Sequence, residues 1–263
     1  MARGANRISI LQSAGYVGGQ KHGLWDFIYT TSTTKDPLYN IGDVVVIPSR
    51  GIFVYSKSAD ACISGQGAEF TYTGYIPYTE FTVTADVGDR SVTVPAATHA
   101  ALATDELRNG FIWIYDGSTN NVQFRQILGN DSAAANAAFV VYLDGPLTEA
   151  VTTSSACEVC QNPYAALRTG TSASLPKAGV PTVKVTAANV YFWCQVGRLP
   201  SYAWLAPQYT IIDKQIGACW RHDGTLDTVG NGVDGENDYV STQYAGHTIA
   251  GNYEGIGPLF QLA

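Results

Sequence analysis

Charge is what this sequence has least of. Only 14% of its 263 residues are Asp, Glu, Lys or Arg, against roughly 25% in an average soluble domain. With aromatics at 11% and hydrophobic residues at 46%, that shortage excludes an intrinsically disordered chain, which carries high charge and few aromatics. It also excludes a coiled coil or helical bundle, built from Glu, Lys, Arg and Leu. Basic charge is scarcer than acidic: 15 Lys and Arg face 22 Asp and Glu, a net charge of −7. A nucleic-acid binder needs a basic footprint, so no direct nucleic-acid partner is expected. No apolar run approaches the roughly 18–20 residues that cross a bilayer, so no membrane partner is expected. No apolar segment of about 7–15 residues follows the opening Met-Ala-Arg-Gly-Ala-Asn-Arg-Ile, and no secretory signal is expected. Cysteine is sparse too: Cys62, Cys157, Cys160, Cys194 and Cys219. An odd number cannot pair completely within one chain, and the chain is too long for a small disulfide scaffold. Free, mostly buried thiols are expected.

What the sequence has is strand chemistry. Short runs rich in Val, Ile, Phe, Tyr, Trp and Thr alternate with punctuation drawn from 27 glycines, 11 prolines, Asn and Asp. Strands are expected at 44–47, 52–55, 80–84, 91–94, 111–115, 122–128, 139–143, 183–186, 190–196, 209–212 and 217–220. Asp116-Gly117 predicts a turn joining 111–115 to 122–128 as a hairpin. Asp86 to Asp89 predicts a second hairpin loop between 80–84 and 91–94. Phe111, Trp113 and Tyr115 share one face of an extended strand, Ile112 and Ile114 the other. Both faces are apolar, as they are at 191–194, so these strands are buried on both sides or lie in a sheet covered by a second subunit. Helix signals are few: a short one over Thr104 to Arg108, and a weaker one over Ala133 to Ala138.

The fold class that follows is all-β, with sandwich or barrel-like domains, long loops, at most one or two short helices and an extended N-terminal arm. Residues 1–40 read as the arm, because they lack strand periodicity and need a partner surface to order them. Residues 41–168 read as the main β domain and 169–182 as a linker or long loop. Residues 183–263 read as a C-terminal β region, either separate from the main domain or part of it.

Motifs for chemistry fail on context. Cys157 and Cys160 form a CxxC, but no βαβ pattern surrounds it and no second close pair completes a zinc site. On a strand the two thiols point to opposite faces. Residues 230–235 match GxGxxG, but lack the strand before and the helix after that dinucleotide binding requires. Asp234, Glu236 and Asp238 have the opening spacing of a calcium loop; its sixth and twelfth positions hold Tyr239 and Ala245 instead of Gly and an acid. His22, His99, His222 and His247 lie outside any HExxH, and no Ser occupies a GxSxG. A carboxylate pair for glycoside hydrolysis depends on the fold and has nothing in the sequence to favour it. No catalytic residue, cofactor or metal is expected, and the chain is read as a non-enzyme. Aromatic enrichment with charge depletion is instead the composition of a protein interface. Tyr72, Tyr75 and Tyr78 in one stretch are candidate contacts; stacking on sugars is the competing use.

The order of segments carries more. Gly51-Ile-Phe-Val-Tyr-Ser-Lys57 comes first, then Ser91-Val-Thr-Val94 and Glu106-Leu-Arg-Asn-Gly-Phe-Ile-Trp-Ile-Tyr-Asp-Gly117. Phe124-Arg-Gln-Ile127, Val141-Tyr-Leu-Asp-Gly-Pro-Leu147 and Gln161-Asn-Pro-Tyr164 follow. Gly179-Val-Pro181, Val185-Thr-Ala187 and Tyr191-Phe-Trp-Cys-Gln195 close the series. The series resembles a family of tailed-phage head proteins, the capsid decoration or cement proteins encoded near the major capsid protein. These show a strand ending in DG, a YRI-like strand, a LYDPL-like strand, an NPY and a YFWLQ-like strand. The likeness spans roughly residues 50–200. It departs at 118–121, where the family has a glycine-rich turn, and at 196–200.

The resemblance implies a structural virion protein on the outer surface of an icosahedral head, made in the host cytoplasm and bridging major capsid protein subunits. It implies a homo-oligomer, with a trimer expected because capsomers meet at local three-fold positions. Arg3 and Arg7 of the arm, Trp25, Tyr72, Tyr75 and Tyr78 are the candidate capsid or subunit contacts. Deleting residues 1–40 is then expected to abolish head binding and leave the β domain folded. The alternative is a receptor- or glycan-binding head fibre or tail module.

Overall fold

The computed structural model describes residues 8–10, 26–47, 51–71, 75–117, 119–170, 175–197, 200–202, 217–221, 223–228, 240–250 and 259–262. Over these residues the chain is all-β, with curled antiparallel sheets of the half-barrel and sandwich kind. The strands are β1 (Ile8–Ile10), β2 (Val44–Ile47), β3 (Gly51–Lys57), β4 (Ala68–Phe70), β5 (Tyr75–Glu80) and β6 (Ser91–Val94). Next come β7 (Phe111–Asp116), β8 (Asn121–Asn130), β9 (Phe139–Leu143), β10 (Ser155–Cys160), β11 (Leu167–Arg168) and β12 (Lys177–Pro181). Last are β13 (Tyr191–Gly197), β14 (Pro200–Tyr202), β15 (Gly217–Arg221), β16 (Leu226–Thr228), β17 (Val240–Ala250) and β18 (Leu259–Leu262).

The chain divides into two compact units, one centred on Tyr72–Pro163 and one made of Ile8–Thr71 and Tyr164–Ala263. The boundaries therefore fall near residues 71 and 163, and not at 40, 168 and 182. The reason is a pairing remote in sequence: β11 pairs with β4, Leu167 opposite Phe70 and Arg168 opposite Glu69. The first unit is inserted between two neighbouring strands of the second. Nor is 169–182 a linker, since it contains β12.

The first unit is one six-stranded sheet in the order β5-β10-β7-β8-β9-β6. The hairpin expected at Asp116-Gly117 forms, with Trp113 opposite Phe124. β8 pairs with β7 over Asn121 to Gln126, then changes partner to β9, with a bulge between Ile127 and Gly129. That change of partner curls the sheet around its inward residues. Ile112, Ile114, Ile127, Val141, Leu143, Cys157 and Val159 form the core with Leu107 and Leu147. The expected hairpin across 86–89 does not form. The turn is there, with Asp89 N donating to Asp86 O at 3.1 Å, but β5 pairs with β10 and β6 with β9. These are opposite edges of the sheet. The helix expected over 104–108 is a series of turns, because Asp105 and Asn109 sit at φ 60° and 65° and break α geometry. Asn136 at φ 62° does the same within 133–138.

Gly110 immediately precedes β7, at a point where a Cβ would lie 2.4 Å from Cys160 O and 2.8 Å from Leu107 O. Both contacts are backbone and cannot rotate away. Gly110→Ala is expected to cost about 1–3 kcal/mol, read as a lowered denaturation midpoint; an unchanged midpoint would contradict this packing.

In the second unit, β1-β2-β3-β13-β12-β4-β11 form one sheet and β14-β18-β17-β15-β16 another. Strand β13 is buried on both faces, as its sequence predicts. Phe192 and Cys194 join Cys62, Ala68, Leu167 and Val185. Trp193 joins Ile28, Val45, Phe53 and Tyr55. The cover on the Trp193 side is the segment expected to be an arm. Asp26–Tyr29 is a 3-10 turn, and Ser32 bridges to Tyr191. The Phe27 and Tyr39 rings meet Trp193 edge-on at 5.3 and 4.9 Å, and Asp36 N donates to Tyr55 Oη at 2.9 Å. Residues 26–40 are thus part of this unit. Deleting 1–40 is now expected to uncover Trp193 and destabilise it, contrary to the expectation of an intact β domain. A cooperative unfolding transition unchanged by that deletion would contradict the packing.

A carboxylate is buried deep in this unit. The Glu69 side chain, 0% exposed, accepts from Lys177 Nζ at 3.1 Å and Arg168 Nε at 2.9 Å. Lys177 is 1% exposed and Arg168 40%.

Candidate functional site

The apolar doubling that gave β13 two covered faces has another outcome in β7. Ile112 and Ile114 are inward and buried, at 0% and 1%. The opposite face is partly exposed among the described residues. Cross-strand register places Trp113 between Phe124 of β8 and Glu158 of β10, and Tyr115 between Val122 and Ala156. Phe111 lies between Gln126 and Cys160. Phe111 and Phe124 stack with centroids 5.3 Å apart, and Trp113 tilts against Phe124 at 5.3 Å. Phe124 is 49% exposed and Val122 58%, while Phe111, Trp113 and Tyr115 are partly exposed. Among the described residues no segment lies over Phe124 as 26–39 lies over Trp193.

The row extends to β5. Thr79 pairs with Cys157 and Ile76 with Val159, so Pro77 and Tyr78 together oppose Glu158 in a bulge. Tyr78, 56% exposed, therefore belongs to the row of Glu158, Trp113 and Phe124. Of the sequence-predicted contacts, Tyr78 is the one whose side chain is described, and it stands on this face. Tyr75 shares β5 and pairs through its backbone with Cys160. Arg3, Arg7, Trp25 and Tyr72 lie outside the described residues. Sequence reasoning noticed Phe111, Trp113 and Tyr115 as a stripe but missed Phe124, whose alternation with Gln123 and Arg125 was the available signal.

The hairpin that carries the face is held at its tip. Buried Gln123 accepts from Thr148 N at 2.7 Å and Thr148 Oγ1 at 3.0 Å, and donates to Glu149 O at 3.0 Å. Asn121 Nδ2 donates to Glu149 Oε1 at 2.7 Å, and Tyr115 Oη donates to Asn120 at 2.7 Å. These bonds fix the end of β8 against the 148–149 loop and the Asn120 turn, and limit the entropy lost when the rings meet a partner.

All five cysteines are free and buried. Cys157 points into the core and Cys160 to the other face, where its Sγ lies 3.0 Å from Gln161 O. Burial pushes the Cys62 and Cys157 thiols up to about 12, and raises Cys194 well above its ordinary value. Raised folded values mean stability is fully present below the ordinary value of 9.0 and is lost as pH climbs from there toward 12. The denaturation midpoint is expected to fall across that window, and less steeply in Cys62→Ala/Cys157→Ala; identical slopes would contradict the assignment. His99 lies 2.6 Å from Ala100 O and 2.8 Å from Ala137 O with no carboxylate partner shown. No group of three His, Cys, Asp or Glu among the described residues can hold a metal ion. The GxGxxG segment, the acids at 234–238 and the side chains of His22, His222 and His247 lie outside the described residues. No helix is long and apolar enough to cross a membrane among the described residues.

No family model matches the chain, and no curated protein or solved structure matches it.

Proposed function

We propose that this chain is a structural virion protein, a decoration or cement protein on the outer surface of an icosahedral phage head, made in the host cytoplasm. In this reading it binds major capsid protein subunits, and copies of itself in a homo-oligomer, through the outward face of β7 and β8. The observation that supports it is the contrast between two strands of the same pattern: β13 is covered on both faces by its own chain, while β7 keeps an aromatic face open. Burying a fully exposed aromatic ring removes roughly 150–250 Å² from water, and these rings, about half exposed or less, give up a corresponding part of it at about 25 cal/mol per Å². Three or four such rings supply the centre of an interface of standard size. A protein that binds the assembled shell better than free capsomers stabilises the shell by mass action. Several contacts per oligomer multiply weak ones. The net charge of −7 suits a surface turned away from packaged DNA.

Heads lacking the protein are expected to disrupt at a lower temperature than heads to which it has been added back. Sedimentation equilibrium is expected to give a trimer. An unchanged disruption temperature would overturn the cement role, and a strict monomer at high concentration would overturn self-association.

A further inference from the structure

The aromatic face also carries charge of one sign. Glu158 stands in the row between Tyr78 and Trp113, and Glu80 pairs with Ala156 on the same face of β5 and β10. Both carboxylates are exposed. None of the outward register positions of β5, β10, β7 and β8 holds Lys or Arg. Arg125, the one cation of these strands, sits opposite Ile112 on the inward register and donates to Pro146 O at 2.8 Å. Two carboxylates thus sit among aromatic rings with no cation of their own sheet face beside them.

From this we infer, on the reading of the face as a protein interface, that its occupant is an extended segment presenting two basic side chains. A guanidinium or ammonium over the face of Trp or Tyr gains cation–π attraction, and the carboxylate beside it adds a charge-assisted hydrogen bond. Glu158 on β10 and Glu80 on neighbouring β5 are offset by two residues along the strands and by one strand across them, about 7 Å by 5 Å. Alternate side chains on one face of an extended segment are about 7 Å apart, and long basic side chains span the remaining offset, so the recognised pattern is basic-x-basic. A neutral sugar fits less well. It can stack on the rings and donate to the carboxylates, but it leaves their negative charge without a counter-charge, and the Tyr115 hydroxyl is already spent on Asn120.

The test is an equilibrium titration of the full chain with a capped Gly-Arg-Leu-Arg-Gly peptide, the same peptide with citrulline at both Arg positions, and a neutral glucan oligosaccharide. Both Glu158 and Glu80 are exposed, so Glu158→Gln and Glu80→Gln are expected to keep the wild-type fold by circular dichroism. The inference predicts saturable binding of the Arg peptide, weakened about tenfold by Glu158→Gln, further in the double variant, and by raised salt. Equal binding of the citrulline peptide, binding of the glucan in place of the Arg peptide, or no effect of either substitution would overturn it. If the chain binds heads and Glu158→Gln changes nothing, this inference fails and the head-binding reading stands. If the Arg peptide binds as predicted and heads do not, the inference stands and the head-binding reading fails.

Discussion

Glu69→Ala is expected to lower unfolding free energy by about 3–5 kcal/mol, the range for removing one partner of a buried ion pair. The arithmetic rests on Lys177. Its ammonium, 1% exposed, has Glu69 at 3.1 Å and would be left buried without a counter-charge. Arg168 contributes less, because at 40% exposure its guanidinium can turn to water. Removing both charges is therefore expected to restore much of the loss. Glu69→Leu with Lys177→Met leaves an apolar pair of similar volume, which is often neutral or better. Gly170 belongs to the same device: a Cβ there would fall 1.5 Å from Glu69 Oε1, so Gly170→Ala displaces the carboxylate and is expected to be additive with neither variant. Urea unfolding of the single and double variants checks this. A loss below about 1 kcal/mol in Glu69→Ala would mean the pair is solvated.

The second large effect is on association. Trp113→Ser with Phe124→Ser is expected to weaken head binding by at least about 30-fold, the factor for roughly 2 kcal/mol lost from the centre of an interface. Stability is expected to fall by about 2–3 kcal/mol, because Trp113 is only partly exposed and its contact with Phe124 is lost, while the core on the other side of the sheet is untouched. A variant that unfolds would show the rings to be core. A folded variant that binds heads as well as the parent would move the interface elsewhere.

The local signals in the sequence were reliable where a strand is defined by its own residues. β2, β6 and β9 begin and end where Val44-Val-Val-Ile47, Ser91-Val-Thr-Val94 and Phe139-Val-Val-Tyr-Leu143 predict. The Asp116-Gly117 hairpin is local as well. What was not legible is pairing at a distance. No local pattern tells β4 that its neighbour is β11, so the inserted unit and its boundaries were invisible. Residues 26–40 looked like an arm because Phe27 and Tyr39 make ring contacts from irregular backbone, which has no period. The stripes at 111–115 and 191–194 predicted two apolar faces each, but not which would be covered by the chain itself. Tyr78 is singled out in the sequence by its aromatic neighbours. Glu158 is not, since its place between Tyr78 and Trp113 exists only once three strands are in register.

The central claim is that the open face of β7 and β8 seats this protein on a phage head. Co-sedimentation of purified parent and Trp113→Ser/Phe124→Ser chains with heads that lack the protein tests it most directly. The account predicts saturable pelleting of the parent and little of the folded variant. Equal pelleting of the two, or none of the parent, would contradict it.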